Sequence, residues 1–519
     1  MAGAESLSRL ADLDSCAREP VHIIGHIQSH GMLFALSETD LIVRQVSVNV
    51  DVLLGETPDY FLGSSLEAAL GAQQYNVFQT RLRADDLVPE KALRVVVGNR
   101  GLEMNCVAHR YDGVLIVEFE LAEGEHAFPP SELAANMRVL LARMERASDT
   151  ADYCRVAASE MHRLAGFDRV MVYRFDADWN GEIIAEAGTV AEPGEPAPIS
   201  YLGMSFPASD IPAQARQLFL TNPVRAIADI DSTPVPIVPE IGPTTRRPLD
   251  MTLAFLRSPS PVHVEYLHNI SIRSSLAVSI IVEKRLWGMI ACHHHAPRGV
   301  DCSTRAVCDM IARNLALQVA LRNADEAKQS RLSSAELLAD YVETVERSNA
   351  PVDAESLRNA RLLDLFDADG LIACLGGIVS SLGVTPAQES LLSVIAKLQT
   401  IALRGIASSN VLRALDQRAE SFSSEASGAL YIGLSKQTSD YLLFLRRELI
   451  ATVVWAGNPD KAVNVDLAGK LHPRRSFAAW QETVRGCARP WSDADLENAR
   501  SLRTQLLYLQ STEKLRTLE

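Results

Sequence analysis

The chain of 519 residues has no Cys-x-x-Cys pair, no surplus of positive charge and no unbroken apolar run near eighteen residues. Its eight cysteines stand at scattered positions, so most are expected to be buried, inert thiols of a large reduced protein. A net charge of −15 and a pI near 5.4 give the wrong electrostatic sign for nucleic acid or an anionic membrane. With no charged-then-apolar leader either, the covered chain is expected to be soluble and cytoplasmic, with neither a membrane nor nucleic acid among its partners. What the chain does have is length and core material. At 519 residues and 47% apolar it exceeds one core and suggests three or four domains.

Residues 1 to about 20 form a polar arm ending in Asp14-Ser-Cys-Ala-Arg-Glu-Pro20. Cys16 sits in it, away from any apolar run, and an exposed thiol in such a place invites a chemical explanation. Gly31 to Leu36, the turn after it, Leu41 to Asn49 and Leu53-Leu-Gly read as strand, turn, strand, helix. Ala92 to Val97 and Gly113 to Phe119 are later strand-like runs. This order resembles the opening of a PAS domain. His22, His26 and His30 have the spacing of helical metal ligands, but Pro20, Gly25 and Gly31 break any helix there.

An unbroken helical pattern over Glu132 to Leu164 opens a second unit, followed by an alternating strand at Asp168 to Phe175 and by Gly181-Glu-Ile-Ile-Ala-Glu. The stretch Ile227 to Pro248 is proline-rich and aperiodic, and so long a loop is expected to be functional. Ser274 to Val282 and Leu286 to His295 form a hairpin, in which a period of two puts Trp287, Met289, Ala291 and His293 on one face. From Asp301 to Ala350 there is neither Gly nor Pro, which predicts a helical spine able to pack against a second chain. Beyond Pro351 a third α/β unit follows. Within it, 453–491 holds three of the five tryptophans among turn formers and reads as an arm reaching outward. The last segment, Ser492 to Glu519, is helical with Leu496, Ala499, Leu502, Leu506 and Leu509 on one face; with no stop signal, it is expected to lead into something longer.

One stretch ties these parts together. In Phe206-Pro-Ala-Ser-Asp-Ile-Pro212 two prolines stiffen the backbone around Asp210, and Pro212 is expected as the first residue of a helix, leaving Asp210 at its mouth beside free backbone donors. This run resembles the signature of the phytochromes, red-light receptors that hold an open-chain tetrapyrrole. Arg257-Ser-Pro-Ser-Pro-Val-His263-Val-Glu-Tyr266, Leu286-Trp-Gly-Met-Ile-Ala-Cys-His293-His and Pro473-Arg-x-Ser-Phe477 match the same family. The resemblance implies three antiparallel-sheet sensor domains of α+β class joined by long helices: an arm plus PAS domain at 1–130, a GAF domain at 131–320, and a PHY domain at 321–519 with a tongue near 453–491.

Residue by residue, the resemblance implies a bacteriophytochrome. Val262 stands where plant and many cyanobacterial phytochromes carry their attachment cysteine, whereas Cys16 occupies the arm position through which bacteriophytochromes hold biliverdin IXα as a thioether. The pyrrole site would be the Asp210 carbonyl and His263, with Ile211 and Pro212 beside them. His293 would bond the ring D carbonyl. Arg225 and Arg257 would pair the propionates, Ser260 and Ser275 would add hydroxyl donors, and Tyr173, Phe206 and Tyr266 would cage ring D. Arg474 of the tongue would meet the Asp210 carboxylate, with Ser476 as a second tongue contact. Phe219 and Ala277 depart from the polar residues found in some relatives, so a thinner propionate network is expected.

The implied function is that of a red/far-red photoreceptor. Ring D would turn away from His293, Asp210 would change partner, and the tongue would exchange strand for helix. The signal would then pass to an output domain outside this chain, such as a histidine kinase working with a response regulator, and the chain itself would be no enzyme. A homodimer through the GAF and spine helices is also implied. The rival reading is a PAS/GAF regulator that binds a small ligand without sensing light. A catalytic or metal site built on Cys292 and the His293-His-His295 run fails, because neighbouring strand residues point to opposite faces.

Overall fold

The structure is a computed structural model and describes residues 20–84, 92–98, 101–122, 130–188, 200–348, 361–434, 440–459, 463–465 and 471–518. Cys16 and its arm lie outside the described residues. The chain divides into two compact units, one of residues 1–320 and 454–480, the other of 321–453 and 481–519.

The first unit holds two sheets. One is built from β1 (His26–Ile27), β2 (Gly31–Ser37), β3 (Val43–Ser47), β4 (Leu93–Val97), β5 (Leu102–Tyr111) and β6 (Val114–Leu121). Its order is β1-β11-β3-β2-β6-β5-β4, where β11 is Val235–Val238. That strand corrects the reading of Ile227 to Pro248 as loop alone. Ile237 pairs with Ser47 and Pro236 with His26, so the segment fills a gap between β1 and β3. Its prolines hid it, since proline cannot donate to a ladder and reads as a strand breaker.

The second sheet carries the site. It is made of β7 (Arg169–Phe175), β8 (Gly181–Gly188), β9 (Met204–Phe206), β10 (Val224–Ile227), β12 (Ser274–Val282) and β13 (Arg285–His294). They run in the order β10-β12-β13-β7-β8-β9, antiparallel throughout, and the sheet continues into β19 (Ala451–Ala456). β19 is parallel to β9, with Val454 opposite Met204 and Trp455 opposite Ser205. The segment read as an arm reaching outward from the third unit therefore belongs, over 454–480, to the first. Ala456 is fully buried there.

Alternation sorts the two faces of this sheet. Val170, Val172, Ile290 and Cys292 pack with Cys154, Ala157 and Met161 of the Thr150–Ala165 helix and with Val307, Ile311 and Leu315 of the Cys302–Ser348 helix. Met171, Tyr173, Met289 and Ala291 face the other way, toward Phe206 and Ala456. Burying each such side chain stabilises the sheet by roughly 1.5–3 kcal/mol. Trp287 does not share the face of Met289: the β12–β13 register slips between Ile280 and Ile281, and Trp287 packs with the helix-side core. One extra residue in a strand inverts the alternation beyond it.

The pattern over Glu132 to Leu164 resolves into two helices, Pro130–Met144 and Thr150–Ala165. Asp149 caps the second by accepting the Asp152 N–H at 2.8 Å, a local bond that ends one helix and starts the next. The Gly- and Pro-free run forms one helix, Cys302–Ser348.

In the second unit, β14 (Gly370–Leu375), β15 (Ile378–Gly383), β16 (Ile406–Ser409), β17 (Gly428–Gly433) and β18 (Tyr441–Arg446) form an antiparallel sheet in the order β15-β14-β18-β17-β16. Ala499, Leu502, Leu506 and Leu509 of the Asp493–Leu518 helix are buried against it, as their 3–4 spacing predicts. None of the described helices is long and apolar enough to cross a membrane.

Candidate functional site

The Phe206–Pro212 run is built differently from its sequence reading. Ala208–Asp210 is a single turn of 3₁₀ helix, and Pro212 is the N-cap of the Ala213–Thr221 helix, with φ −64° and ψ 161°, rather than its first helical residue. Asp210 thus ends a turn of its own instead of facing the helix donors. Arg216 holds this turn in place by donating to the carbonyls of Ala208 at 3.2 Å and Ile211 at 2.6 Å.

The Asp210 carboxylate meets two other partners. Arg474 Nε lies 3.0 Å from Oδ1 and 3.1 Å from Oδ2, and its terminal nitrogen Nη2 is 2.5 Å from Oδ2. The Tyr266 hydroxyl donates to Oδ2 at 3.1 Å. The two side chains are only 6% and 3% exposed, so this is a desolvated pair. Burial pushes the Asp210 carboxyl upward against the pull of Arg474 and Tyr266. Arg474 also donates to the Ala456 carbonyl, and its ring neighbours are Phe206 and Phe477, whose centroids lie 5.4 and 4.2 Å from the guanidinium. Arg474 follows β21 (Leu471–Pro473), which pairs antiparallel with β20 (Val463–Val465). Ser476 is not brought to Asp210: its side chain is exposed, and its carbonyl lies against Gly457.

Beside this pair a cavity leaves about 230 Å³ in which the centre of a water molecule fits. Tyr173, Phe206, Asp210, Ile211, Pro212, Arg225, Arg257, Ser260, His263, Tyr266, Ser275 and His293 all line it. One wall is aromatic, with Tyr173 edge-on to Phe206 at 5.4 Å and His263 stacked on Tyr266 at 6.0 Å. Burial, with Arg225 adding to it, pushes His263 down to about 4; burial and then Arg169 take His293 down to about 3. Both imidazoles are therefore neutral at pH 7, and each offers one donor and one acceptor. Burial raises Tyr173 and Tyr266, which stay phenols.

The lining also carries two cations. Arg225 donates to the carbonyls of Phe255 at 3.1 Å and of Arg257, so part of its fork is already engaged. Arg257 is 7% exposed and its Nη1 is buried with no hydrogen-bond partner among the described residues. Burial pushes Arg257 down to about 10; burial and the Arg257 charge lower Arg225. Two buried guanidiniums with an orphaned donor fit the acid groups of a ligand. Ser260 caps the Pro261–Asn269 helix by accepting the His263 N–H at 3.2 Å, which leaves its hydroxyl proton free to donate. Phe219 and Ala277 line the wall as apolar surface.

Two contacts were missed in the sequence. His472 Nδ1 lies 2.9 Å from both Glu265 oxygens, and Asn269 Nδ2 donates to the Arg474 carbonyl at 3.1 Å. Glu265, Tyr266 and Asn269 share one helix with His263. Their signal was spacing: His472 lies on β21 two residues before Arg474, and Asn269 three after Tyr266 on a helix.

Comparison with known proteins bears on this geometry. Family models match as the phytochrome region at 335–514, a PAS fold at 16–122 and a GAF domain at 149–322. The chain is 33% identical over 516 residues to cyanobacterial phytochrome B of Nostoc sp. (strain PCC 7120 / SAG 25.82 / UTEX 2576), covering 98% of this chain and 68% of that one. It is 35% identical to a bacteriophytochrome of Xanthomonas campestris pv. campestris (strain 8004), covering 95% and 78%. The chain belongs to the phytochrome family. This phytochrome also matches solved photosensory structures: bacteriophytochrome RpBphP3 of R. palustris, with TM-score 0.83 and 34% identity over 96% of this chain and 99% of that one, and the Stigmatella aurantiaca phytochrome photosensory core module, with TM-score 0.82 and 33% identity over 96% and 98%. It is a phytochrome photoreceptor with the PAS, GAF and PHY core of its relatives.

Proposed function

We propose that this phytochrome senses red and far-red light through biliverdin IXα, held in the cavity and joined to Cys16 as a thioether. The observation that carries this reading is the lining of the cavity: neutral His263 and His293, the orphaned Arg257 donor, and the buried Asp210–Arg474 pair. Val21 lines the same cavity, and five residues of chain reach at most about 17 Å, which brings Cys16 within range. When bound, the pigment supplies a conjugated system that absorbs red light and isomerises at the methine bridge before ring D.

The residues then divide the work. Arg225 and Arg257, helped by Ser260 and Ser275, anchor the acid groups. His263 and the Asp210 carbonyl would orient the pyrroles, with Ile211 and Pro212 lining the wall beside them. His293 holds ring D, and Tyr173, Phe206 and Tyr266 must repack when that hold is lost. Asp210 gives up Arg474, and the tongue around Arg474 and Ser476 refolds. Residues 1–130, 131–320 and 321–519 serve as the PAS, GAF and PHY parts, and output goes to a further domain, a histidine kinase with its response regulator. Exposed Met310 and Leu317, at 47% and 55%, support a homodimer through the GAF helices. The protein works in the cytoplasm.

Co-expression with heme oxygenase tests the reading. A green protein absorbing far-red light is expected, and Cys16→Ser should leave colour that does not survive acid urea. A colourless product would favour a PAS/GAF regulator of a different ligand.

A further inference from the structure

Glu118 has no part in the site described so far. It lies on β6, 1% exposed, and its oxygens accept the backbone N–H groups of Phe255 at 3.0 Å and Leu256 at 2.6 Å. The same strap is also held by Arg225, which donates to the carbonyls of Phe255 and Arg257. Residues 255–257 are therefore held by a buried anion and a buried cation, and the strap ends in the guanidinium whose Nη1 has no partner among the described residues.

The groups around Glu118 come from every neighbouring element. On β5, His109 Nδ1 stands 3.6 Å from Oε1, and its Nε2 is buried with no hydrogen-bond partner among the described residues. On β6, Glu120 is bound by Arg305 of the Cys302–Ser348 helix, by Cys302 Sγ and by His30. From β10 and the strap come Arg225 and Arg257. Burial pushes Glu118 up to about 7 despite its two backbone bonds. Burial takes His109 down to about 4, whereas Arg305 and His30 overcome the burial cost and hold Glu120 at about 2. Burial raises Cys302 to about 12.

We propose that Glu118 is a positioning residue of the ligand cavity: its carboxylate fixes the 255–257 strap so that Arg257 and Arg225 face the ligand's acid groups, and its protonation slows ligand uptake. A carboxylate accepts strongly at both oxygens, whereas a protonated oxygen is a poorer acceptor, so a proton on Oε1 weakens its bond to the Phe255 N–H. His109 Nδ1, 3.6 Å from Oε1, is placed to receive that O–H. This inference rests on the reading that the cavity takes a bilin.

The test uses purified pigment-free protein carrying Cys16→Ser, which removes thiol chemistry from the pH response. Biliverdin is added in excess, and the rise of far-red absorbance is timed from pH 6 to 8.5. His263 and His293, at about 4 and 3, do not titrate in that range. The uptake rate is expected to rise about tenfold between pH 6 and 8 with a midpoint near 7. Glu118→Gln, which keeps His30 and every other neighbour, should be slow and flat. His109→Gln should move the midpoint and keep the rate at pH 8. A Glu118→Gln curve that overlays the parent overturns the proposal; should that variant fail to fold, an unchanged curve for Glu118→Asp overturns it equally. A parent that colours with no pH dependence defeats the role of Glu118 alone, whereas a parent that never colours defeats the bilin reading beneath it.

Discussion

Replacing Arg474 with Ala should release the 454–480 segment from its own unit. The substitution removes three contacts to Asp210 and one to the Ala456 carbonyl, and it leaves a carboxylate whose side chain is 6% exposed without its counterion. Breaking a buried pair in this way costs about 3–5 kcal/mol, a factor of roughly 150 to 5,000 in the population of the open segment. Tyr266→Phe removes one bond of 3.1 Å to the same oxygen and should cost about 1 kcal/mol. Native-state amide exchange is the assay, read at Gly457, whose N–H donates to Ala478 at 2.9 Å. Because burial pushes the Asp210 carboxyl upward, the Arg474→Ala defect should shrink as pH falls and the acid takes a proton. The pair Asp210→Ala and Arg474→Ala should show a coupling of at least about 2 kcal/mol, since the double variant buries no lone charge. Exchange in Arg474→Ala at the wild-type rate, or a coupling below about 0.5 kcal/mol, would refute the view that this ion pair holds the segment.

Gly457 has φ +92°, and a Cβ there would sit 2.1 Å from the Ser476 carbonyl, so Gly457→Ala should loosen the same segment by about 2 kcal/mol, seen as faster exchange and an earlier proteolytic cut near 457. Arg257→Gln removes the orphaned cation and should weaken biliverdin uptake about tenfold, measured by absorbance titration, while the melting temperature of the pigment-free protein changes little. His263 and His293 are neutral when folded, with values near 4 and 3 against an ordinary 6.5. Their contribution to stability is present above pH 6.5 and is lost as pH falls through 4. The urea midpoint of the pigment-free protein should drop between pH 6.5 and 3.5, and less so in His263→Asn.

How legible this protein was depended on distance along the chain. Runs such as Leu286 to His295 and Ser492 to Glu519 revealed their elements, because strand and helix periods are local. The cavity residues were recognisable as short motifs. Their partners were not: Glu118 holds Phe255 across 137 residues, and Arg474 holds Asp210 across 264. Pairings at such separations leave no local trace in composition. Trp287 was put on the wrong face because a bulge shifts the alternation without changing it on either side. β11 was read as loop because its prolines mask a strand that one neighbour on each side keeps in place. Ser476 shared a motif with Arg474, but it lies in the irregular stretch after β21, where its side chain is exposed.

The central claim is that one cavity converts the absorption of red light into a rearrangement around Asp210. Its most direct test is the absorption spectrum of the biliverdin-loaded, dark-adapted protein before and after red illumination. A band in the red to far-red should shift reversibly on illumination, with the shifted form reduced in Asp210→Ala and Arg474→Ala. A pigment-loaded protein whose spectrum is unchanged by light, or whose photoconversion is identical in both variants, would contradict it.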